Sequence, residues 1–345
     1  MQCEHFSLNM KDYLDQFGYT QDENGIYVSG KTGYWSNLNK SENVEFLKSV
    51  EEKGQPRTVV KEMHPELEEI IFSPKREAGL ELLDIKKNDV CIDYGCMWGS
   101  LSVGMAKRGG LVYAVDQTYD SLRFLSLRNK LEGIENVWCV QDDIRKLDLK
   151  ISADIAVVNG VLEWIPEIGT IELKKYYGKK TRKTYSGHEP QKQQQNFLNT
   201  VARNLKPGGK LLLAIENRFD YSQFLGKRDP HSHLLFTSIL PRKTSDLISR
   251  VILNRPYINY LYSFNQLRRM IKSAGFSKVA LYMTFPHYHL PKLILPYENG
   301  CKLYKKYENG SNSLKRRLVR NLEYVLIKGL KANFLAPSIM VVSVK

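Results

Sequence analysis

The sequence predicts an α/β fold in which helices cover a doubly wound, mostly parallel sheet of seven strands. Two observations support this prediction. From residue 90 onward, short apolar runs rich in β-branched residues alternate with segments of helical periodicity. Polar residues then follow the ends of successive apolar runs. Alternation of this kind is typical of parallel sheets, because parallel strands are joined by crossover connections that usually contain a helix.

The individual elements follow from local pattern and from glycine stops. Helices are expected to end at Gly109, Gly133 and Gly275, since glycine readily adopts the left-handed conformation that closes many helices. The helices are predicted within 100–109, 121–133, 194–209 and 263–276. The seven strands are predicted at 90–95, 111–116, 137–143, 153–160, 210–217, 278–286 and 337–344.

Three regions fall outside this alternation. Residues 1–73 are polar and turn-rich, and we predict that they form an N-terminal lobe or cap. Residues 74–345 then form the sheet domain, with insertions at about 218–262 after strand five and 287–336 after strand six. Insertions of this length usually carry function.

The charge of the chain favours anionic partners. Its 345 residues contain 51 Lys and Arg against 37 Asp and Glu, a net charge of +14. Such a balance suits nucleic acid, membrane surfaces or acidic substrates. The five cysteines form no CxxC pair, so neither a zinc site nor a disulfide framework is predicted. A cytoplasmic location fits this composition, and no signal peptide or transmembrane helix is expected.

Polar groups follow five successive predicted strands. They are Asp93 and Gly95, then Asp116, then Asp142 and Asp143, then Asn159 and Gly160, and finally Glu216 and Asn217. In open parallel sheets, ligands bind beyond the carboxyl ends of the strands, where the strand order reverses. The sequence therefore predicts a ligand site at this edge of the sheet.

The loop after the first strand distinguishes between two cofactors. Asp116 lies 21 residues after Gly95, a spacing that suits the ribose of a nicotinamide dinucleotide or of an adenosyl compound. A pyrophosphate needs a G-x-G-x-x-G turn, whereas this loop has Met97 at its middle position and no third glycine. Asp93 would repel a phosphate but attract the cationic sulfonium and ammonium of S-adenosylmethionine. The loop therefore favours S-adenosylmethionine.

The motifs VCIDYGCMWG, VYAVD, VQDDI, ADIAVVNGVLEW and LKPGGKLLLAIEN together resemble those of class I S-adenosylmethionine-dependent methyltransferases over about residues 74–285. The resemblance implies a Rossmann-like fold with S-adenosylmethionine as its cofactor. The family's D-x-G-x-G-x-G motif is kept except at Met97. The residues implied to bind the cofactor are Asp93, Tyr94, Gly95, Cys96 and Gly99 in the loop, Asp116 at the ribose with Gln117 beside it, Asp142 or Asp143 with Ile144 at the adenine, and Asn159, Gly160 and Val161 on the methyl side.

A narrower likeness concerns the acceptor. The segments 72–76, 159–164, 214–236, 262–276 and 335–345 are similar to those of methyltransferases associated with bacterial surface-polysaccharide assembly. This likeness implies a glycan or glycolipid acceptor, methylated on a sugar hydroxyl.

Three side chains are candidates for removing the hydroxyl proton. His231, in RDPH downstream of strand five, is the preferred general base, and Asp229 could orient its imidazole. Glu163 and Glu216 are the competing candidates, because carboxylates also serve as general bases. His287 and His289 have a spacing that a metal could use, but no carboxylates lie near them in the sequence, so no metal site is predicted.

Two basic clusters lie at 174–192 and 302–331. Their tyrosines, Tyr176, Tyr177, Tyr185, Tyr304 and Tyr307, suit stacking on sugar rings or bases and contact with anionic headgroups. An anionic membrane surface at the inner face of the membrane is therefore an expected partner, with nucleic acid the less favoured one. The alternatives are an RNA methyltransferase and a non-catalytic membrane-surface scaffold. No oligomeric state is predicted.

Overall fold

The structure, a computed structural model, describes residues 14–29, 40–147, 149, 151–166, 190–307 and 314–345. These residues form two compact units. Unit 1 contains the described residues up to Val157 together with Thr200–Lys210, and unit 2 contains the others. Strands β6 and β7, defined below, each run from unit 1 into unit 2.

Ten strands are present in the described residues. They are β1 (Thr20–Gln21), β2 (Ile26–Val28), β3 (Val90–Tyr94), β4 (Leu111–Asp116), β5 (Val137–Gln141), β6 (Ala153–Asn159), β7 (Leu205–Glu216), β8 (Lys278–Phe285), β9 (Leu293–Pro296) and β10 (Ser338–Val344). In unit 1 the neighbours run β1-β2-β5-β4-β3, followed by the start of β6. In unit 2 they run from the end of β6 through β7, β10 and β8 to β9.

The mixed α/β fold with a large, mostly parallel sheet agrees with the prediction, but the number of strands does not. The predicted seven strands are all present, and β1, β2 and β9 bring the total to ten. Strands β2, β5, β4 and β3 pair in parallel, whereas β1–β2, β8–β9 and β8–β10 are antiparallel. The three extra strands have only two to four residues each, too few for a periodicity of two to be recognised.

Helices flank these strands. They are α1 (Lys40–Lys53), α2 (Pro56–Met63), α3 (Pro65–Phe72), α4 (Ser100–Lys107), α5 (Tyr119–Glu132), α6 (Pro190–Asn204), α7 (Tyr221–Phe224), α8 (Arg242–Leu253), α9 (Phe264–Ser273), α10 (Gly300–Leu303) and α11 (Leu314–Tyr324). As predicted, Gly133 closes α5 in the left-handed conformation. A capping box formed by Ser263 and Gln266 begins α9, because their side chains satisfy backbone N–H groups at its first turn.

The predicted N-terminal lobe and insertions contain regular structure. Strand β2, from residues 26–28, pairs with β5 on one side and with the edge strand β1 on the other. The segment 218–262 carries α7 and α8, and 287–336 carries β9, α10 and α11. The division into a lobe at 1–73 and a domain at 74–345 stays a prediction. Within the described residues, none of the helices combines the length and apolar character needed to cross a membrane.

Candidate active site

The loop after β3 in unit 1 has the backbone of a glycine-rich turn although one glycine is absent. Gly95, Met97 and Gly99 all have positive φ, at 70°, 51° and 76°. Met97 therefore adopts the left-handed conformation that the motif normally assigns to glycine, at a cost of about 1–2 kcal/mol. Its N–H donates to Asp116 Oδ2 at 2.8 Å, and its side chain packs against an apolar cluster. These contacts stabilise the unusual conformation.

Gly99 is required by packing as well as by its φ. A Cβ built on Gly99 would lie 2.2 Å from Leu125 Cδ1, so the loop passes directly over α5. Trp98 next to it is buried and meets Phe46 and Phe124 edge to face, with ring centroids 5.9 and 5.5 Å away. Its ring therefore belongs to the core of unit 1.

Asp93 is a buried carboxylate at the end of β3. Its Oδ2 accepts a hydrogen bond of 2.6 Å from Ser102 Oγ on α4. Burial raises the pKa of Asp93 to about 6, although Ser102 and the positive charge of Arg76 partly oppose the increase. A cationic ligand beside this carboxylate would favour its ionised form.

The acidic residues after β4 and β5 lie next to one another. Asp142 N–H donates to the Asp116 carbonyl at 3.1 Å. The Asp116 carboxylate accepts N–H groups of both Met97 and Thr118 at 2.8 Å, and burial raises its pKa. Each carboxylate oxygen has further lone-pair positions, so these two bonds leave acceptor capacity for ribose hydroxyls.

Asp142 and Asp143 differ in their partners. Tyr19 donates its hydroxyl to Asp142 Oδ2, and Ser29 Oγ donates to Oδ1 at 3.2 Å. Residues from the N-terminal region thus contact the predicted adenine end of the site. Asp143 forms an ion pair with Arg145 at 2.6 Å. Burial alone would raise the pKa of Asp143, but the hydrogen bond and charge of Arg145 lower it overall.

The remaining residues of unit 1 that were predicted to bind the cofactor make contacts within the fold. Tyr94 is buried, and its hydroxyl accepts a hydrogen bond from Asn204 Nδ2 at 2.9 Å, so its side chain belongs to the core. The N–H groups of Gly95 and Cys96 both donate to the Val115 carbonyl, which joins the loop to β4. Cys96 and Ile144 are buried and Gln117 is half-buried.

The three predicted residues at the end of β6, Asn159 to Val161, belong to unit 2. Gly160 has a φ of 72° and donates its N–H to the Ala214 carbonyl on β7 at 2.8 Å. A Cβ on Gly160 would lie 2.4 Å from the Tyr288 hydroxyl. Val161 is buried and Asn159 half-buried. The absence of a side chain at Gly160 therefore lets Tyr288 approach the end of β6.

Tyr288 connects the two candidate carboxylates of unit 2. Its hydroxyl lies 3.3 Å from Glu163 Oε1 and 3.4 Å from Glu216 Oε1. Glu163 has no exposed surface, and Glu216 retains some exposure, with 21% of its side chain accessible. Burial raises the pKa of Glu163 well above its usual range, and the neighbouring Glu216 charge raises it further.

Hydrogen bonds within unit 2 fix the backbone at Glu163 and beside Glu216. The Glu163 carbonyl accepts from Asn259 Nδ2 at 3.1 Å, and the adjacent Leu162 carbonyl accepts from Gln194 Nε2 at 2.8 Å. Asn217, directly after Glu216, donates its side-chain amide to the carbonyls of Phe334 and Ala336, both at 2.7 Å. The backbones that carry the two acids are thus fixed by buried amide side chains.

His231 joins the same group of side chains. Ligand atoms of Glu163, Glu216 and His231 all lie within 4.8 Å of one another. The imidazole is buried and meets Trp164 edge to face, with ring centroids 4.7 Å apart. The structure therefore brings together the three predicted catalytic candidates, which are far apart in the sequence.

Asp229 forms hydrogen bonds with the backbone of its loop and not with the imidazole of His231. Its Oδ1 accepts the N–H groups of His231 at 2.9 Å and Ser232 at 2.8 Å, but lies 3.8 Å from His231 Nδ1. The expected orienting hydrogen bond to the ring is too long in this geometry. Tyr257 donates its hydroxyl to the other Asp229 oxygen at 3.2 Å, which fixes the carboxylate against the backbone.

Of the other histidines considered in the sequence, His289 lies next to this group. His289 Nε2 lies 3.9 Å from Glu216 Oε1, and its ring centroid is 5.9 Å from that of the exposed His287. His233 is exposed. No carboxylate lies close to His289 in the sequence, but Glu216 lies beside it in the folded chain.

The basic clusters are described only in part. Most of 174–192, with Tyr176, Tyr177 and Tyr185, lies outside the described residues. In the second cluster, Tyr304 is buried and contacts the carboxylate of Glu323, to which Tyr307 also donates, at 3.3 Å. Stacking on a ligand, as predicted from the sequence, does not suit the buried Tyr304.

Sequence reasoning missed several residues around these sites. Tyr288 and Asn259 contact Glu163, and Trp164 contacts His231, across distant segments of the chain. Tyr19 contacts Asp142 in the same way. The sequence offered one signal for Tyr288, its position between His287 and His289. Aromatic residues are common in cores and amide residues are common on surfaces, so their type alone did not single them out.

A family model described as a methyltransferase domain matches residues 85–235. Within these limits lie the loop after β3, the acidic ends of β4 and β5, and all three members of the group formed by Glu163, Glu216 and His231.

Curated proteins with similar sequences are also methyltransferases by description. A probable cobalt-precorrin-6B C(15)-methyltransferase (decarboxylating) from Methanothermobacter thermautotrophicus is 27% identical over 144 residues, which cover 40% of this chain and 60% of that protein. A protein of the same description from Methanococcus maripaludis is 29% identical over 85 residues, covering 25% of this chain and 47% of that protein. The chain thus matches 47–60% of the length of these relatives.

Solved structures with a similar arrangement include phosphoethanolamine N-methyltransferase 2 from Haemonchus contortus in complex with S-adenosyl-L-methionine, with a TM-score of 0.46, 15% identity, and coverage of 92% of this chain and 61% of that one. A SAM-dependent methyltransferase from Archaeoglobus fulgidus has a TM-score of 0.43 and 13% identity, and the match covers 82% of this chain and 99% of that one.

Proposed function

We propose that this chain, whose residues 85–235 form a methyltransferase domain that uses S-adenosylmethionine, methylates a sugar hydroxyl of a bacterial surface glycan or of its precursor. The observation that supports a hydroxyl acceptor is the group of Glu163, Glu216 and His231 in unit 2, of which Glu163 and His231 are buried. A hydroxyl is a weak nucleophile whose proton should leave as the methyl arrives, and this group offers proton acceptors of both common types.

The residues proposed to contact the methionine part, the ribose and the adenine belong to unit 1. Asp93 would face the cationic methionine part, Asp116 the ribose hydroxyls, and Asp142 or Asp143 with Ile144 the adenine. The buried, Ser102-bonded carboxylate of Asp93 supports the first assignment, because a fixed negative charge stabilises a sulfonium or ammonium group. The remaining acceptor capacity of Asp116 supports the second.

The reaction would be an in-line displacement. The enzyme aligns the acceptor oxygen, the methyl carbon and the sulfur, with reacting atoms held about 3–3.5 Å apart. His231 is the proposed base, and its buried Nδ1 has no hydrogen-bond partner among the described residues. Glu163 and Glu216 are the alternatives, although burial disfavours the charged form of Glu163.

The sugar acceptor rests on the sequence likeness to polysaccharide-associated methyltransferases. That likeness includes NGVLEW and AIENRFDYSQFLGKRDPHSHLLF, the segments that carry all three members of the acidic and histidine group. A location at the cytoplasmic face of the membrane is part of the proposal, because the basic clusters at 174–192 and 302–331 suit anionic headgroups.

An RNA acceptor is the second candidate. The net charge of +14 favours it, since basic surfaces bind phosphates. The chain lacks an NPPY-type amide motif and a recognisable RNA-binding module, which is why RNA ranks second.

One experiment tests both candidates. The full chain is incubated with methyl-labelled S-adenosylmethionine and, in parallel, with lipid-linked glycans, free sugars or RNA, and Asp116→Ala is the cofactor-binding control. We expect label in the glycan fraction with wild type and little with the control. Label in RNA alone would reverse the ranking, and label in neither despite cofactor binding would contradict both acceptors.

A further inference from the structure

The group formed by Glu163, Glu216 and His231, hereafter the acid–histidine group, contains more acceptors than its neighbours satisfy. Glu163 Oε2, Glu216 Oε2 and His231 Nδ1 are buried and have no hydrogen-bond partner among the described residues. Glu163 has no exposed surface, and 2% of the His231 side chain is exposed. Buried charges and polar atoms without partners are costly, and natural proteins usually pair them or use them to coordinate metals.

The two carboxylates are held so that one oxygen of each remains available. Tyr288 places its hydroxyl between the two Oε1 atoms, at 3.3 and 3.4 Å. Hydrogen bonds of this kind orient metal-binding carboxylates from outside the coordination sphere. Gln194 and Asn259 fix the backbone around Glu163. The result is a supported donor set whose unused atoms are two carboxylate oxygens and an imidazole nitrogen.

We propose that the acid–histidine group binds one divalent transition-metal cation, with Glu163, Glu216 and His231 as its protein ligands. The ligand atoms already lie within 4.8 Å of one another. Ligands on opposite sides of a metal ion lie about 4.2 Å apart when each bond is about 2.1 Å long, so small side-chain rotations close the site. Three protein ligands leave further positions for water or substrate oxygen atoms.

The donor types indicate which ions fit. Carboxylates suit Mg²⁺, Ca²⁺ and Mn²⁺, whereas imidazole suits Zn²⁺, Fe²⁺ and other later metals. A set of two carboxylates and one imidazole therefore favours Mn²⁺, Fe²⁺ or Zn²⁺ over Mg²⁺ or Ca²⁺. We choose Mn²⁺ as the probe because it tolerates both donor types and has an electron paramagnetic resonance signal.

A shared proton is the competing explanation. Two adjacent carboxyl groups can hold one proton between them, which also reduces the repulsion of their charges. That arrangement would leave His231 Nδ1 unsatisfied, whereas a metal ion satisfies all three atoms. The two explanations differ in a measurable way, since only a metal site binds Mn²⁺ stoichiometrically and depends on the histidine.

The functional consequence of the metal rests on the proposed function. A cation at this position would coordinate the acceptor hydroxyl and lower its pKa, as divalent metals do for bound water. His231 would then act as a ligand and not as the general base, and the hydroxyl proton would pass to a water molecule as the oxygen–methyl bond forms and the sulfur–methyl bond breaks. Metal binding itself can be measured without any acceptor, so its test is independent of methyl transfer.

The test is a titration of the full chain with MnCl₂ after treatment with a chelator and its removal. Calorimetry and the Mn²⁺ resonance signal report binding, with and without S-adenosylmethionine. We expect one Mn²⁺ per chain and a rise in thermal midpoint, because a ligand that binds only the folded state stabilises it. Glu163→Gln, Glu216→Gln and His231→Ala should each weaken binding at least tenfold.

Controls separate the site from nonspecific binding and from misfolding. His233→Ala is the matched control, since it removes an exposed histidine two residues away in the same loop, and it should bind Mn²⁺ like wild type. Tyr288→Phe keeps all three ligands and should weaken binding less than their replacement. The isosteric Glu→Gln variants remain informative if His231→Ala fails to fold.

Two results would overturn the proposal. One is the absence of stoichiometric binding of Mn²⁺, Fe²⁺ or Zn²⁺ to wild type. The other is binding that survives Glu163→Gln and Glu216→Gln unchanged. A chain that binds S-adenosylmethionine and transfers methyl groups equally well with and without a chelator would reject the metal's role in methyl transfer while leaving the methyltransferase intact. A chain that binds Mn²⁺ but methylates no acceptor would support the metal site and contradict the proposed function.

Discussion

Asp116 has two structural duties, and removing its side chain should affect both. It accepts N–H groups of Met97 and Thr118, and it is the proposed ribose acceptor. We expect Asp116→Ala to weaken S-adenosylmethionine binding by about 1.5–3 kcal/mol, the usual contribution of hydrogen bonds to a charged group. Titration calorimetry with S-adenosylhomocysteine measures the change. Unchanged affinity, or tighter binding of NAD than of S-adenosylhomocysteine, would contradict the assignment.

Asp93 should make cofactor binding depend on pH. Its pKa is raised to about 6 by burial, so it is largely protonated at pH 5 and ionised at pH 8. Because a cationic ligand prefers the carboxylate, S-adenosylmethionine affinity should increase as the pH rises through about 6. The Asp93→Asn variant should bind more weakly at pH 8 and lose most of this dependence. A pH profile shared by wild type and variant would count against Asp93.

The raised pKa of Asp93 also makes the stability of the folded protein depend on pH. Stability should decrease over the pH range in which cofactor affinity increases. Because the pKa of Asp93 is higher in the folded state than its unfolded value of about 3.9, protonation of Asp93 stabilises the folded protein. This stabilisation is complete below about pH 4 and is lost as the pH rises through about 6. Two pKa units correspond to about 3 kcal/mol. Denaturant unfolding without cofactor at pH 5 and pH 8 should show that Asp93→Asn gains stability relative to wild type at the higher pH.

His231 can be tested separately from the cofactor. If His231 is the general base and not a metal ligand, His231→Ala should lower kcat by about 10²–10⁴ without added metal and leave S-adenosylmethionine affinity nearly intact. His231→Asn should not restore activity, because an amide cannot accept the proton. Near-normal turnover in His231→Ala, combined with a loss in Glu163→Gln or Glu216→Gln, would assign the base to a carboxylate.

At the scale of the element, the turn between β3 and α4 depends on Gly99 for two reasons. Gly133 has a similar positive φ of 65°, but nothing lies within 4 Å of its Cβ position, whereas the Cβ of Gly99 would clash with Leu125. Gly133→Ala should therefore cost about 1–2 kcal/mol, from backbone strain alone. Gly99→Ala should cost about 1–3 kcal/mol more, from overpacking.

Chemical denaturation of both variants measures this difference. Replacing Leu125 with alanine in the Gly99→Ala background should recover part of the additional loss, since it removes the clashing atoms. Equal losses for Gly99→Ala and Gly133→Ala would show that α5 moves to accommodate the new methyl group.

The elements that sequence reasoning identified are those whose signal is local. Buried β-branched runs such as β4 and β6, and a helix stop such as Gly133, depend on neighbouring residues in the chain. Strand β2 depends on pairing with β5, more than a hundred residues away, and β1 in turn pairs with β2, so no local pattern reports either strand. In the same way, acidic residues at strand ends were found, whereas Tyr288 and the actual role of Asp229 depend on contacts that only the folded chain provides.

At the scale of the whole molecule, the charge of +14 offers a test of the partner. If Lys315, Arg316, Arg317 and Arg320 neutralise phosphates, log K for single-stranded RNA should fall by about 0.7 per contact with log salt. We expect weak RNA binding and measurable attraction to anionic vesicles, by electrophoretic shift and vesicle sedimentation. Tight RNA binding with a salt slope that decreases when these four residues are neutralised would favour the RNA acceptor.

The position of β10 has a consequence for biosynthesis. It lies between β7 and β8 in unit 2, although it is formed by residues 338–344, which follow all the other strands in the chain. Until these residues leave the ribosome, β7 and β8 each present an unpaired edge, and β8–β9 can exist only as a hairpin. Exposed strand edges pair readily with other chains. A nascent chain arrested before residue 338 should therefore aggregate or bind chaperones, and unit 2 can mature only after translation has passed β10.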